Sequence, residues 1–425
     1  MSAAAPAVSS TTGRGDALDR AVALGLPTKR DEAWRYAPQR LLAELTFDAA
    51  VETAGDVPAD LDAQFPSIDG PRVVVVNGVV DVSRSNTAAA DGAVVSSLAE
   101  AVAANSDLAA AHFALPADAI DDVFLAYNLA FGGDGAVIDI ADGVALETPI
   151  HIVDVETPDS THNASCTGVV IRLGVGSSAT VVETRLGVGS GFGGSNVRTT
   201  VTLGDDATLE HVLLQDVPDT QVHLSRIEVE QGAGSTFRAR SFNLGAAYGR
   251  VAYDVQLAGE GAFADLSGLF FGFGDQVLDQ QVDVIHAAPD CTSRQSFRGV
   301  LDDRSTGVFN GGILVRPGAD GTDAEQSNHN LILSHQAEIN TQPRLEILAD
   351  EVACKHGATV GQLDETAMYY MRSRGIAADE ARRLLINGFA DQVVDTVGIE
   401  SVRKWIIHRL GHDDLGFDDD GDADG

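Results

Sequence analysis

A chain of 425 residues with 44% hydrophobic content has room for two or three units with their own cores, and it is too apolar to be largely disordered. It has no run of about 18 apolar residues, so no membrane span is expected, and Met1–Arg20 lacks the basic start and apolar stretch of a signal peptide. A net charge of −35, spread along the chain with lysine only at Lys29, Lys355 and Lys404, speaks against duplex nucleic acid and for a salt-rich cytoplasm such as a halophile's.

The predicted elements fall into four stretches. Residues 1–132 form an N-terminal helical region with a β-hairpin. Helix is expected over Asp16–Leu24, Arg40–Leu45 and Ser96–Ala111, and Arg72–Val82 reads as two strands around the Asn77-Gly78 turn.

From about 133 to 362 the texture changes to short β-branched runs separated by Gly, Asp and Asn. A loose repeat appears here. Arg198–Gly204 leads to Ala207–Val212, Arg226–Glu230 to Thr236–Arg240, and Arg250–Leu257 to Ala262–Leu266, with an earlier half-copy at Ala179–Glu183. The spacing of roughly 24–29 residues suits a solenoid, in which one strand–turn–strand unit buries its apolar face only by stacking on the next. The pattern favours a β-solenoid, and a sandwich of two-stranded hairpins also fits it.

The chain is expected to be helical from 363 to 412. Asp364 can cap a helix that stops at Gly375, a second helix covers Ala378–Val397, and a third covers Glu400–Leu410. Leu384, Leu385, Phe389 and Val393, with Trp405 on the third helix, form an apolar stripe. It suits an internal core or a partner-binding face, since a solenoid is expected to offer a short tail only its end to pack on. Residues 413–425 read as an acidic disordered tail.

Several chemistries are missing. There is no Gly-x4-Gly-Lys-Ser/Thr phosphate loop. Gly189-Ser-Gly-Phe-Gly-Gly194 satisfies G-x-G-x-x-G but precedes a predicted strand, so it is expected to be a loop between strands. The odd, widely spaced Cys166, Cys291 and Cys354 make no disulfide framework and point to a reducing cytoplasm.

Cys354 and His356 are the best metal candidates. The strand expected at Arg344–Ala349 could continue through them, and residues two apart in a strand face one side. A thiolate suits iron–sulfur chemistry and an imidazole suits iron, but a cluster usually takes four ligands, so this pair would need ligands from another chain. Spacing alone leaves open a small buried Cys beside a hydrogen-bonded His. His286 with Cys291, and His162 with Cys166, are weaker pairs for which a structural role is expected.

The blocks Leu301–Gly312, Gln326–Ser334, Ala337–Ile347, Cys354-Lys-His-Gly-Ala-Thr-Val-Gly-Gln-Leu-Asp364 and Tyr369–Ile376 closely resemble, in order and spacing, the core of the SufB/SufD family of iron–sulfur cluster assembly proteins. Pro27-Thr-Lys-Arg-Asp-Glu-Ala-Trp-Arg-Tyr36 is similar to the family's N-terminal Glu-x-Trp-(Lys/Arg)-Tyr motif. The Cys-x-His-Gly-Ala-Thr form resembles the SufD type, and the SufB-type Glu-His-Glu-Ala-x-x-x-Lys-Ile-Gly is absent.

The resemblance implies a mainly β fold: a right-handed parallel β-helix flanked by an N-terminal α/β region and C-terminal α-helices. It also implies a non-catalytic subunit that pairs with a SufB-like paralogue through the β-helix. The C-terminal helices would bind a SufC-like ABC ATPase. Cys354 and His356 would share a transient iron or iron–sulfur site with the paralogue. No permanent cofactor is implied, and flavin binding by the complex is left open. The alternatives are a SufB-like scaffold that carries the nascent cluster itself and a β-solenoid carbohydrate-active enzyme.

Overall fold

The computed structural model describes residues 11–47, 57–158 and 163–411. The acidic run Asp413–Asp424 and His162 lie outside them.

Two sheets, of ten and nine strands, carry the fold. The N-terminal region supplies the hairpin β1 (Arg72–Val76) and β2 (Val79–Val80), then β3 (Ala93–Ser97). The following strands alternate between the sheets. One sheet holds β4 (Asp134–Ile140), β6 (Ala164–Leu173), β8 (Gly193–Leu203), β10 (Gln221–Gln231), β12 (Tyr248–Leu257), β14 (Val277–His286), β16 (Thr306–Val315) and β18 (Glu338–Ile347). The other holds β5 (Ile150–Glu156), β7 (Ser178–Gly187), β9 (Thr208–Asp216), β11 (Thr236–Asn243), β13 (Phe263–Gly272), β15 (Thr292–Leu301), β17 (Asp323–Ile332) and β19 (Ala353–Gly361).

Within each sheet these strands pair in parallel, each with the strand one turn away, which makes a β-solenoid of about 8 turns rather than a sandwich of hairpins. In-register partners lie from 26 residues apart (Leu224 opposite Arg250) to 33 (Val137 opposite Val170), so the turns are longer and less regular than the repeat suggested.

The reason for stacking lies in columns such as Val201, Val229, Val255, Val284 and Ile313, which face one another across five successive turns and are all buried. Each such side chain contributes about 1.5–3 kcal/mol by burial, and none could find that environment in a single turn. A carboxylate at Val255 would break the column. The tight corners repeat too. Asp206, Gly234, Gly261 and Asp290 each take a positive φ between the two strands of successive turns, which explains the Gly and Asp punctuation.

At the N-terminal end β1 pairs in parallel with β5, and its hairpin turn has positive φ at both Asn77 and Gly78, the I′ geometry expected of Asn-Gly. β3 pairs antiparallel with β4 and closes the other sheet. The single helix expected over Ser96–Ala111 is instead the end of β3 followed by α3 (Leu98–Ala103) and α4 (Asp107–Phe113). Ser97 and Ser106 each cap a new helix, and Asn105 between them takes φ 57, which no continuous helix permits.

Helices α1 (Thr11–Leu24), α2 (Gln39–Glu44) and α5 (Val123–Phe131) share a core with Val222, Leu224 and Tyr248 on the outer face of the first sheet. Trp34 of the N-terminal motif is the clasp. Its Nε1 donates to Asp122 Oδ2 at 3.0 Å, Asp122 caps α5, and the Arg250 guanidinium lies 4.0 Å from the indole ring centre.

The C-terminal helices are α6 (Glu365–Ser373), α7 (Ala378–Val394) and α8 (Glu400–Arg409). As expected, Asp364 caps α6 and Gly375 ends its turn with a positive φ. The tail is not confined to the end of the solenoid. Ala390, Val393, Val394, Val402 and Ile406 pack on Val212, Leu214, Phe242, Leu269 and Val300 along the outer face of the second sheet. That face is apolar at these positions and would otherwise be a large exposed patch.

Candidate functional site

Among the described residues neither sheet has another strand beyond β18 and β19, so the C-terminal end of the solenoid is an open edge. No residue of either strand is fully buried, in contrast to the strands beneath them. Cys354 and His356 stand on this edge, in β19.

The expected continuation of one strand from Arg344 through Cys354 does not occur. β18 ends at Ile347, the chain turns at 348–352, and β19 begins in the other sheet. The alternation argument still holds, because both residues belong to one strand. Cys354 is in register with Ala324 and His356 with Gln326, and both of those partners are buried between the sheets. Thiol and imidazole therefore share the inward-facing side of the last rung, over the exposed end of the core.

Cys354 is half-buried and packs with Leu345, Ala349 and Val352 on the small cluster Ile313, Val315, Ala319 and Ala324. Burial pushes its thiol pKa up, Asp323 adds to the rise, and a backbone hydrogen bond at Ala324 opposes it. A metal must therefore displace the thiol proton. His356 is exposed. On the outward side Lys355 Nζ pairs with Glu325 at 3.0 Å, while His329 Nδ1 lies 2.8 Å from Thr359 Oγ1 and pins the strand. Among the described residues no three His, Cys, Asp or Glu side chains converge as a metal site. Chemically, the end offers one thiol and one imidazole to a metal that would draw its remaining ligands from elsewhere.

His286 and Cys291 are each engaged with other partners, and of the pair His162 and Cys166 only Cys166 is among the described residues. His286 Nε2 lies 2.8 Å from Ser293 Oγ, while Cys291 Sγ donates to Gly259 O at 3.3 Å, and both residues are completely buried. Burial lowers His286 to about 4 and raises the Cys291 thiol. Cys166 Sγ donates to Tyr127 O at 3.6 Å. The glycines 189–194 run through the β7–β8 connection into strand β8, as expected of a loop rather than a nucleotide cradle.

Of the apolar stripe, Val393 is 1% exposed against the solenoid, and Leu384, Leu385, Phe389 and Trp405 are half-buried. Arg298 lies 4.7 Å from the Phe389 ring centre, and Trp405 Nε1 donates to Gln64 O at 3.0 Å.

Sequence reasoning missed a charged cluster inside the solenoid. Arg185 and Glu183 are completely buried and ion-paired, and Glu183 Oε1 lies 2.8 Å from His211 Nε2 and 3.1 Å from Thr199 Oγ1. Burial lowers Arg185 to about 10 and His211 to about 3. The available signal was phase: Glu183 and Arg185 continue the inward-facing alternation of Ala179 and Val181. A second missed feature is a cavity of about 370 Å³ under the N-terminal clasp, where Arg226 Nε pairs with Asp254 at 2.9 Å and burial raises Asp254 to about 6.

A parallel β-solenoid with N-terminal and C-terminal helical flanks, and with one thiol and one imidazole on the last strand, defines a narrow class of protein. Residues 156–389 match the family model described as SUF system FeS cluster assembly, SufBD core domain, and residues 4–152 match the SufBD protein N-terminal region. The chain is 30% identical to the iron–sulfur cluster assembly protein SufD of Escherichia coli over 93% of its own length and 90% of that protein's. It is 29% identical to an iron–sulfur cluster assembly SufBD family protein of Synechocystis over 92% and 88% of the two chains. The SufD of Bacillus subtilis is 28% identical over 74% and 72%. The chain belongs to the SufB/SufD family of iron–sulfur cluster assembly proteins.

Proposed function

We propose that this chain is a SufD-like, non-catalytic scaffold subunit that helps iron to enter and clusters to assemble at an interface with a SufB-like paralogue in the cytoplasm. The observation that carries this reading is the open end of the solenoid. It presents two strand edges that are unpaired among the described residues, and Cys354 and His356 share one face of the last strand. A solenoid end of this kind is completed by a second solenoid, which would also supply the missing ligands.

Iron and the nascent cluster are cargo here, held transiently by Cys354, His356 and donors of the paralogue, with no permanent cofactor. A SufC-like ABC ATPase would dock against the C-terminal helices, through the half-buried Leu384, Leu385, Phe389 and Trp405, while Val393 holds α7 to the solenoid. Flavin, if the complex uses it, would be a property of the assembly. The two-donor set speaks against the alternative in which this chain alone carries the cluster.

Co-expression with a SufB-like paralogue and a SufC-like ATPase tests the reading. A stable complex containing all three chains is expected, and a chain that purifies alone under those conditions would sink it. In that complex Cys354→Ser and His356→Ala should each reduce cluster maturation of an acceptor protein at least several-fold without dissociating the subunits. Full maturation by both variants would remove the site and leave the family membership standing.

A further inference from the structure

We infer that the paralogue adds a strand to β19 alone, and that Pro343 is the residue that bars strand addition to β18. This inference rests on the reading of the open end as an interface with a second solenoid. It goes further in naming which of the two edges carries the hydrogen bonds.

In a parallel ladder the N–H and C=O of one residue point to the same neighbouring strand, and those of the next residue point the other way. The direction can be read at the ends of each strand. Glu338 N donates to Ser305 O at 3.0 Å and Leu348 N to Val315 O at 2.9 Å, so the even-numbered residues of β18 face β16. The odd-numbered residues face the open edge, and Pro343 is at their centre. Proline has no N–H, and its ring fills the place where that hydrogen would lie. An incoming strand would leave a carbonyl unpaired there and meet the ring. Because Pro343 faces outward, it costs the ladder between β16 and β18 no bond. Prolines placed in this way recur in natural sheets as guards against edge pairing.

β19 has the opposite character. Ala353 N donates to Thr322 O at 2.8 Å, so the odd-numbered residues of β19 face β17. Cys354, His356, Ala358 and Val360 turn their N–H and C=O groups to the open edge, with no proline among them. Every residue from Lys355 to Gly361 is exposed, so nothing among the described residues covers this edge. A donor and an acceptor at every second residue are matched by an extended strand, and by neither a helix nor an irregular loop.

The edge that can pair is also the one that carries the metal candidates. Strands in a sheet lie about 4.8 Å apart, so the inward-facing side chains of an added strand would stand beside Cys354 and His356. Pairing at β19 thus delivers the partner's donors to the face where the thiol and imidazole are. Pairing at β18 would deliver them to the other sheet.

Two proline variants test this on the complex of the full chain with the paralogue. Ala358→Pro in β19 and Thr341→Pro in β18 each delete one N–H that points to the open edge, and neither touches the ladder to the strand beneath. Ala358→Pro should weaken the complex at least about tenfold, and Thr341→Pro should leave its Kd within about twofold. Equal effects of the two, or weakening by Thr341→Pro alone, would overturn the inference. Residue-resolved amide exchange on the unsubstituted complex needs no variant to fold. The amides of His356, Ala358 and Val360 should slow at least about 100-fold when the paralogue is added. Those of Thr341 and Leu345, on either side of Pro343, should stay as fast as in the isolated chain, even as the β18 amides bonded to β16 gain protection. Slowing of Thr341 and Leu345 to the extent seen at His356 would contradict the guard role of Pro343. If the unsubstituted chain forms no complex, the interface reading fails and the inference with it. If the complex forms and tolerates both prolines, the inference alone fails.

Discussion

Arg185 is a cation with no path to solvent, and its partner Glu183 and neighbour His211 are equally buried. Removing one member leaves an uncompensated charge, so Arg185→Leu should destabilise the protein by about 3–5 kcal/mol, measured by denaturant unfolding. His223 gives a prediction with a sign. It is buried between Ser195 Oγ at 2.8 Å and Ser225 Oγ at 2.6 Å, and burial lowers its pKa from 6.5 to about 3. Below pH 6.5 the unfolded chain takes up a proton there that the folded chain refuses, so stability is lost progressively as pH falls from about 6.5 to about 3. Asp154 and Glu156, raised by burial, act in the opposite sense, so the useful quantity is a difference. Between pH 7 and pH 4 the unfolding free energy of the unsubstituted protein should fall more steeply than that of His223→Gln; equal slopes would contradict the assignment. These residues show what sequence reading overlooks. Alternation marks a position as inward-facing, but charge normally argues for the outside, and only the partner a turn away reverses that argument.

At the scale of elements, strand and helix positions were well marked. The Asn77-Gly78 hairpin, the Asp364 cap and the Gly and Asp corners are local signals, and each carries its own backbone geometry. The pairing of β1 with β5 and the seating of α7 and α8 were not legible, because both depend on a surface that exists only once several turns are stacked. Ile406 is fully buried in that seat, so Ile406→Ala should cost about 2–5 kcal/mol in the isolated chain. A tail that docked only in a complex would show no such loss. The candidate site was half legible. Its two residues were correctly placed on one strand face, but the break at 348–352 lies outside any local pattern. Amide exchange should be fast in β18 and β19 of the isolated chain and slow in β10 to β13, with protection gained at β18 and β19 when the paralogue is added.

Across the whole molecule the net charge of −35 sets the conditions under which the fold is comfortable. Self-repulsion falls as the screening length shrinks from about 10 Å at 0.1 M salt to about 3 Å at 1 M, so the denaturation midpoint should rise over that range. A flat or falling midpoint would contradict adaptation to high salt. The repeat and family blocks made the solenoid legible because stacking repeats one physical demand in every turn. The open end has a different origin, since among the described residues it is the turn that lacks a successor, and in the proposed function its meaning depends on another chain. The central claim is that Cys354 and His356 form half of a site completed there. The most direct measurement is anaerobic iron(II) binding, followed by Mössbauer or X-ray absorption spectroscopy, on this chain alone, on the paralogue alone and on their complex. The account predicts a site with sulfur and nitrogen ligands that appears only in the complex and loses its sulfur ligation from this chain in Cys354→Ser. An unchanged site in Cys354→Ser and His356→Ala, or full occupancy on either chain alone, would contradict it.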